Sequence, residues 1–146
     1  MVYKNLIISP SNVSNQPSVK QSQFYKGFST VDPTTLTTKI FDFNLIIQDI
    51  LNIFQTKQGE RVMNPTFGTI IWSMIFEPFT DDNKRLISED VTRILNYDPR
   101  VTPTEINISE AEYGIIIEAT LYYKQLDLSQ RLIFNFNSEV GLILTQ

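Results

Sequence analysis

The hydrophobic period of this chain changes once, at Pro103. Before it, apolar residues recur at helical spacing. Ile46, Ile50, Ile53 and Phe54 stand at i, i+4, i+7 and i+8, and Ile87, Val91, Ile94 and Leu95 form a second stripe. After it they alternate: Ile106 and Ile108, then Ile115, Ile117, Ala119, Leu121 and Tyr123, then Leu132, Phe134 and Phe136. Helices first and strands last, with no βαβ alternation, predict an α+β fold. Tight connections near Ala111-Glu112 and across residues 126–129 make the strands antiparallel. The expected architecture is two main helices plus a short apolar helix packed on a three-stranded antiparallel sheet.

Local signals place the elements. Asp42 is an N-cap candidate for a helix over residues 42–55, with Gly59 as its terminator. Residues 60–68 read as a loop, with Asn64-Pro65 a turn dipeptide and Gly68 a special backbone position. The apolar run 70–76 is a helical turn or two stopped at Glu77-Pro78. Thr80 caps the second main helix, Asp81 and Asp82 favour its positive end, and Pro99 should stop it at Asp98. Phe67, Trp72, Phe76 and Phe79 are expected in the core, where Trp72 needs an acceptor for its N–H.

The 146 residues suit one domain, expected at 24–137. Residues 1–23, rich in Ser, Asn and Gln, are either a disordered leader or an arm that orders on a partner. Asp32-Pro33 marks a turn. Residues 138–146 are an arm or a further strand, since Leu142, Ile143 and Leu144 are apolar.

Two absences narrow the chemistry. There is no cysteine, hence no disulfide, thiolate nucleophile or zinc–cysteine site; there is no histidine, hence no usual general base. No cofactor or metal is expected. Twelve basic against sixteen acidic residues, without a Lys/Arg cluster, argue against nucleic acid as partner. No run approaches the ~20 apolar residues of a membrane span, and the N-terminus lacks a signal-peptide pattern. Synthesis in the cytoplasm as a soluble protein is the expectation.

An ordered set of short motifs carries a family resemblance: FYKGFST at 24–30, Gly59-Glu60-Arg61, Asn64-Pro65, Phe67-Gly68-Thr69, Phe76-Glu77-Pro78 and NYDPRV at 96–101. Collinear over about 24–137, they resemble the baseplate wedge proteins of contractile-tailed phages, the "gene product twenty-five" family. Members often carry the label lysozyme-like, and a relative serves in type VI secretion baseplates. The family's Glu-Pro-Arg hallmark stands here as Asp98-Pro99-Arg100, one methylene shorter at its first position. The resemblance implies that this triplet, with Tyr97 before it, docks on the helical core bundle built by two larger wedge proteins. Pro99 fixes the exit from the helix, and Arg100 suits a carboxylate or helix-end carbonyls. The plainer alternative is a local Asp98–Arg100 ion pair beside a helix stop. Glu60, Arg61, Asn64 and Pro65 are secondary partner-binding candidates.

The resemblance also implies a place in the virion's tail baseplate, in a ring of copies. The sheet would accept strands from the tail-sheath protein along an exposed edge and so initiate the sheath. No catalytic residue is expected. The rival reading is a cell-wall glycosidase, which would need two carboxylates ~5–10 Å apart; Glu60, Glu77 and Asp98 are the acids in the motif regions, with Glu77 in the most apolar setting. A generic small binding module would make the ordered motifs a coincidence.

Overall fold

The computed structural model describes residues 25–29 and 39–145; the leader, the Asp32-Pro33 turn and Gln146 lie outside them. The elements are β1 (Lys26–Phe28), β2 (Lys39–Phe41), α1 (Asp42–Gln55), α2 (Ile71–Met74), α3 (Asp81–Leu95), β3 (Val101–Ala111), β4 (Gly114–Tyr123), β5 (Leu128–Asn137) and β6 (Gly141–Thr145).

The class is α+β as expected, but the sheets differ from the expectation. β1 and β2 form a small antiparallel hairpin, and the main sheet has four antiparallel strands in the order β3-β4-β5-β6 rather than three. The fourth comes from the 138–146 segment. Asn137 accepts the Glu139 and Val140 N–H groups on its Oδ1, at 2.8 and 3.0 Å, and Gly141 turns at φ +94. The chain then returns along β5, with Leu142 opposite Phe136 and Thr145 opposite Ile133.

The alternation sorts the sheet into two faces. Ile115, Ile117, Ala119, Leu121 and Tyr123 of β4 and Leu132, Phe134 and Phe136 of β5 are buried on the inner one. α1 lies across that face. Phe43 meets Tyr123 with centroids 6.1 Å apart, and Phe54 packs edge-on against Phe134 and Phe136 at 4.9 and 5.4 Å. Both predicted stripes are buried, with Ile47 and Leu51 widening the first. Each such side chain contributes about 1.5–3 kcal/mol on burial. Trp72 reaches over the end of α1, donating its indole N–H to the Phe54 carbonyl at 2.7 Å and packing on Phe136.

Helix boundaries correct the sequence reading in three places. Asp42 does not cap α1: β2 runs straight into the helix, Phe41 holds the extended cap position, and Asp42 is the first helical residue at φ +48. Its carboxylate instead accepts the Tyr25 N–H at 2.9 Å. α1 ends because Thr56 is extended, its hydroxyl donating to the Asn52 carbonyl at 2.8 Å; Gly59 turns the following loop at φ +87. α3 begins as expected, with Thr80 accepting the Asn83 N–H, but ends at Leu95, where Asn96 caps it and donates its side-chain amide to the Thr92 carbonyl. Of the four aromatics expected in the core, Phe67, Trp72 and Phe79 are partly buried against it. Phe76 is 78% exposed, because the chain turns outward between α2 and Pro78.

Candidate functional site

The Tyr97–Arg100 segment connects the end of α3 to β3. Asp98 folds it into a tight turn: Oδ1 accepts the Arg100 backbone N–H at 2.9 Å, a short side chain imitating the next turn of backbone. The same carboxylate takes the Arg100 guanidinium. Nε lies 2.8 and 3.0 Å from the two oxygens, and Nη2 closes on Oδ2. Nη2 also donates to Asp49 Oδ2 of α1 at 2.9 Å, and the guanidinium lies 5.1 Å from the centroid of the Tyr25 ring. Lys124, from the β4–β5 connection, donates to the Pro99 carbonyl at 3.2 Å.

Electrostatics follow this geometry. Burial pushes the Asp98 carboxyl up, but the Arg100 hydrogen bonds outweigh it and hold the group below its ordinary value. Arg100 is raised by its bond to Asp98, against partial burial and with help from Asp49, so it stays cationic. The guanidinium's carboxylate fork is therefore filled within the chain. Among the described residues, no hydrogen bond uses Nη1. Around this held core, Pro99 is exposed and Tyr97 is 71% exposed.

The loop carrying Glu60, Arg61, Asn64 and Pro65 is built separately, after the far end of α1. Its stems pair, with Thr69 N–H on the Thr56 carbonyl at 2.9 Å and Gln58 N–H on the Thr69 carbonyl at 3.0 Å. Glu60 accepts the Lys57 N–H at 3.2 Å, the Gly59 N–H donates to the Pro65 carbonyl at 2.9 Å, and Asn64 accepts the Thr66 hydroxyl at 2.9 Å. Arg61 lies 3.7 Å from the centroid of the Phe67 ring. Val62 and Met63 stand at the tip, 93% and 96% exposed.

Asp90 of α3 anchors this loop. It is buried, accepts the Thr69 hydroxyl at 2.7 Å and the Ile70 N–H at 3.0 Å, and pairs with Arg93, which in turn donates to the Gly68 carbonyl at 2.7 Å. The structure thus makes two separate assemblies of the predicted residues: the 97–100 turn is tied to α1 and Tyr25, and the 60–65 loop to α3. Sequence reading named neither Asp49 nor Asp90, and it took in Tyr25 only as part of the FYKGFST motif, not as a neighbour of Arg100. For Asp90 a signal existed, an acid at i+3 from Ile87 and i−4 from Ile94 on the inner stripe. For the approach of Asp49 and Tyr25 to Arg100, from 51 and 75 residues away, there was none.

Asp98 is engaged by Arg100 and Glu60 by its own loop, while Glu77 is exposed on an open groove lined also by Phe79, Glu110, Glu112 and Tyr113. Among the described residues, no group of three or more acids could hold a metal ion, and no helix is long and apolar enough to cross a membrane.

Comparison with known proteins places this architecture among the subunits of phage-tail and tail-like baseplates. The chain belongs to the baseplate wedge protein gp25 family, whose model matches residues 44–125, from the first turn of α1 to just past β4. It is similar to a Geobacter sulfurreducens protein provisionally named a tail lysozyme, known from a crystal structure: 26% identity, TM-score 0.56, covering 64% of this chain and 88% of that one. It is also similar to a chain of the anti-feeding prophage baseplate, solved by electron cryomicroscopy with six-fold symmetry: 25% identity, TM-score 0.52, covering 69% of this chain and 82% of that one. No curated protein matches the chain.

Proposed function

We propose that this chain is a structural subunit of a contractile-tail baseplate, present as a ring of copies, that docks on the wedge core bundle through the turn Tyr97, Asp98, Pro99 and Arg100. The observation that carries the reading is the form of this turn. An exposed aromatic and an exposed proline flank a cation that two carboxylates hold in place, on a loop tied to the first helix. A side chain already ordered loses little on binding, so the turn is prepared for a partner rather than shaped by it. With the fork occupied by Asp98, the contact runs through Tyr97, Pro99 and the unused Nη1 group rather than through capture of a partner's carboxylate.

The loop at 60–65 is the secondary contact, rigid at its base and apolar at its tip. The sheath joins at a sheet edge. Among the described residues, β3 has no strand paired on its outer edge over its eleven residues. On the other side β6 pairs with β5 at residues 133–137, and among the described residues nothing pairs with residues 128–132 on that edge, where a strand could be added. Residues 1–23 serve as an arm ordered by a partner, and the wedge domain takes in residues 138–145 as well as 24–137, since β6 is the fourth strand of its main sheet.

The chain is not an enzyme in this reading, although one structural relative bears the lysozyme name. Supporting that, Asp98 is consumed by Arg100, and Glu77 sits exposed on an open groove rather than in an apolar pocket of the kind that tunes a general acid. The test is capture of the large wedge proteins of the same particle by the purified chain, run beside a cell-wall hydrolysis assay. Retention without hydrolysis is expected. Hydrolysis abolished by Glu77→Gln, with no retention, would reverse the assignment.

A further inference from the structure

The docking turn is held from outside its own sequence. Asp98 and Arg100 are two residues apart, so their mutual bond fixes them to each other and not to the rest of the protein. Lys124 holds the turn's backbone, at the Pro99 and Arg100 carbonyls, and two other residues reach the guanidinium itself. Asp49, on the exposed side of α1, takes the second Nη2 hydrogen of Arg100. Tyr25, the residue just before β1, sets its ring beside the guanidinium.

Tyr25 is itself unusually well fixed for a residue beside a three-residue strand. Its N–H donates to Asp42 Oδ1 at 2.9 Å, and its carbonyl accepts the Asp42 N–H at 3.2 Å. Its hydroxyl accepts the Gln125 side-chain amide at 2.7 Å, and Gln125 Oε1 accepts the Tyr123 hydroxyl at 2.6 Å. Tyr123 is fully buried against Phe43. A continuous chain of contacts therefore runs from the core, through Tyr123, Gln125 and Tyr25, to the cation of the turn. A second runs from α1 through Asp49.

We infer that Tyr25 and Asp49 are positioning residues of the docking turn: they act through Arg100, fixing the guanidinium in the orientation its partner meets. The inference rests on the reading that the turn is the docking point. Without Asp49 and Tyr25 the backbone of the turn keeps its Lys124 bonds, but the guanidinium is held by Asp98 alone, and binding would have to order it. Immobilising a long side chain corresponds to roughly three- to tenfold in affinity.

The experiment titrates the purified wedge core-bundle proteins against wild type, Asp49→Asn, Tyr25→Ala, Tyr25→Phe and Arg100→Ala, with the thermal midpoint of each variant measured alongside. Asp49→Asn and Tyr25→Ala should each raise Kd roughly three- to tenfold. Asp49 is half exposed, so its variant should keep the wild-type midpoint and decides the matter if Tyr25→Ala fails to fold. Tyr25→Phe keeps the ring and should recover most of the affinity lost in Tyr25→Ala; recovery no better than Ala would overturn the ring's part. Wild-type affinity in Asp49→Asn and Tyr25→Ala, with binding lost in Arg100→Ala, would overturn the inference and leave the docking reading standing. Wild-type affinity in Arg100→Ala would overturn the docking reading itself, and this inference with it.

Discussion

Thr69 and Asp90, twenty-one residues apart, meet in the interior: the Thr69 hydroxyl donates to Asp90 Oδ2 at 2.7 Å with both residues buried. The same oxygen takes the Ile70 N–H, and the other oxygen takes Arg93. Asp90→Ala would leave a buried hydroxyl, a backbone N–H and a guanidinium without their acceptor. Breaking one side of a buried network of this kind costs about 3 kcal/mol. The melting midpoint should fall on the order of 10 °C at 2–4 °C per kcal/mol for a chain of this size. A change of a degree or two by calorimetry would show that the loop is held by other means.

Gly68 and Gly59 both have positive φ, +104 and +87, yet alanine should affect them differently. At Gly68 a Cβ would lie 2.5 Å from the Thr56 carbonyl oxygen, which is backbone engaged in the loop's stem; at Gly59 nothing lies within 4 Å. Gly59→Ala should cost about 1–2 kcal/mol from the left-handed conformation alone. Gly68→Ala adds the backbone collision and should cost clearly more than that. Urea unfolding of the two variants checks the order; equal losses would contradict it.

Asp98 sets a pH dependence. Its carboxyl is held below its ordinary value of 3.8, so the unfolded chain takes up the proton more readily than the folded one. The stabilisation is complete above about pH 5 and is lost as pH falls through the lowered folded-state value. The urea midpoint of wild type should exceed that of Asp98→Asn by a constant margin from pH 7 to 5, and the margin should shrink toward pH 3. A margin that stays constant to pH 3 would mean that the Asp98 charge adds nothing to the clasp.

Trp72→Phe keeps an aromatic ring over Phe136 but leaves the Phe54 carbonyl without the indole N–H. The expected loss is about 1 kcal/mol, a midpoint drop of roughly 2–4 °C. A neutral substitution would show that the hydrogen bond, though well formed, is replaced by water without cost.

Much of this architecture was legible because periodicity and burial are the same information. The stripe Ile46, Ile50, Ile53, Phe54 and the alternation 115–123 name buried faces directly, and Thr80 and Gly68 do what their residue types suggest. What failed involved competition for a side chain. Asp42 looks like a cap, but its carboxylate is taken by Tyr25, from the neighbouring strand's end. Phe76 looks like core by composition, but the chain turns before it can face inward. The fourth strand was visible only as three apolar residues near the C-terminus; its pairing depends on the Asn137 and Gly141 turn geometry. At the docking turn the motif residues could be named, while their surroundings could not, because Asp49 and Tyr25 arrive through tertiary packing.

On the reading proposed above, the 97–100 turn, not the 60–65 loop or a sheet edge, is the main contact with the wedge core bundle. The most direct measurement is the affinity of the purified wedge proteins for Arg100→Ala beside wild type, with unfolding curves for both. Arg100→Ala should fold and bind at least tenfold more weakly, since a held cation and its two carboxylate partners are disturbed together. Undiminished affinity in a folded Arg100→Ala protein would contradict that reading and move the interface to the loop at 60–65.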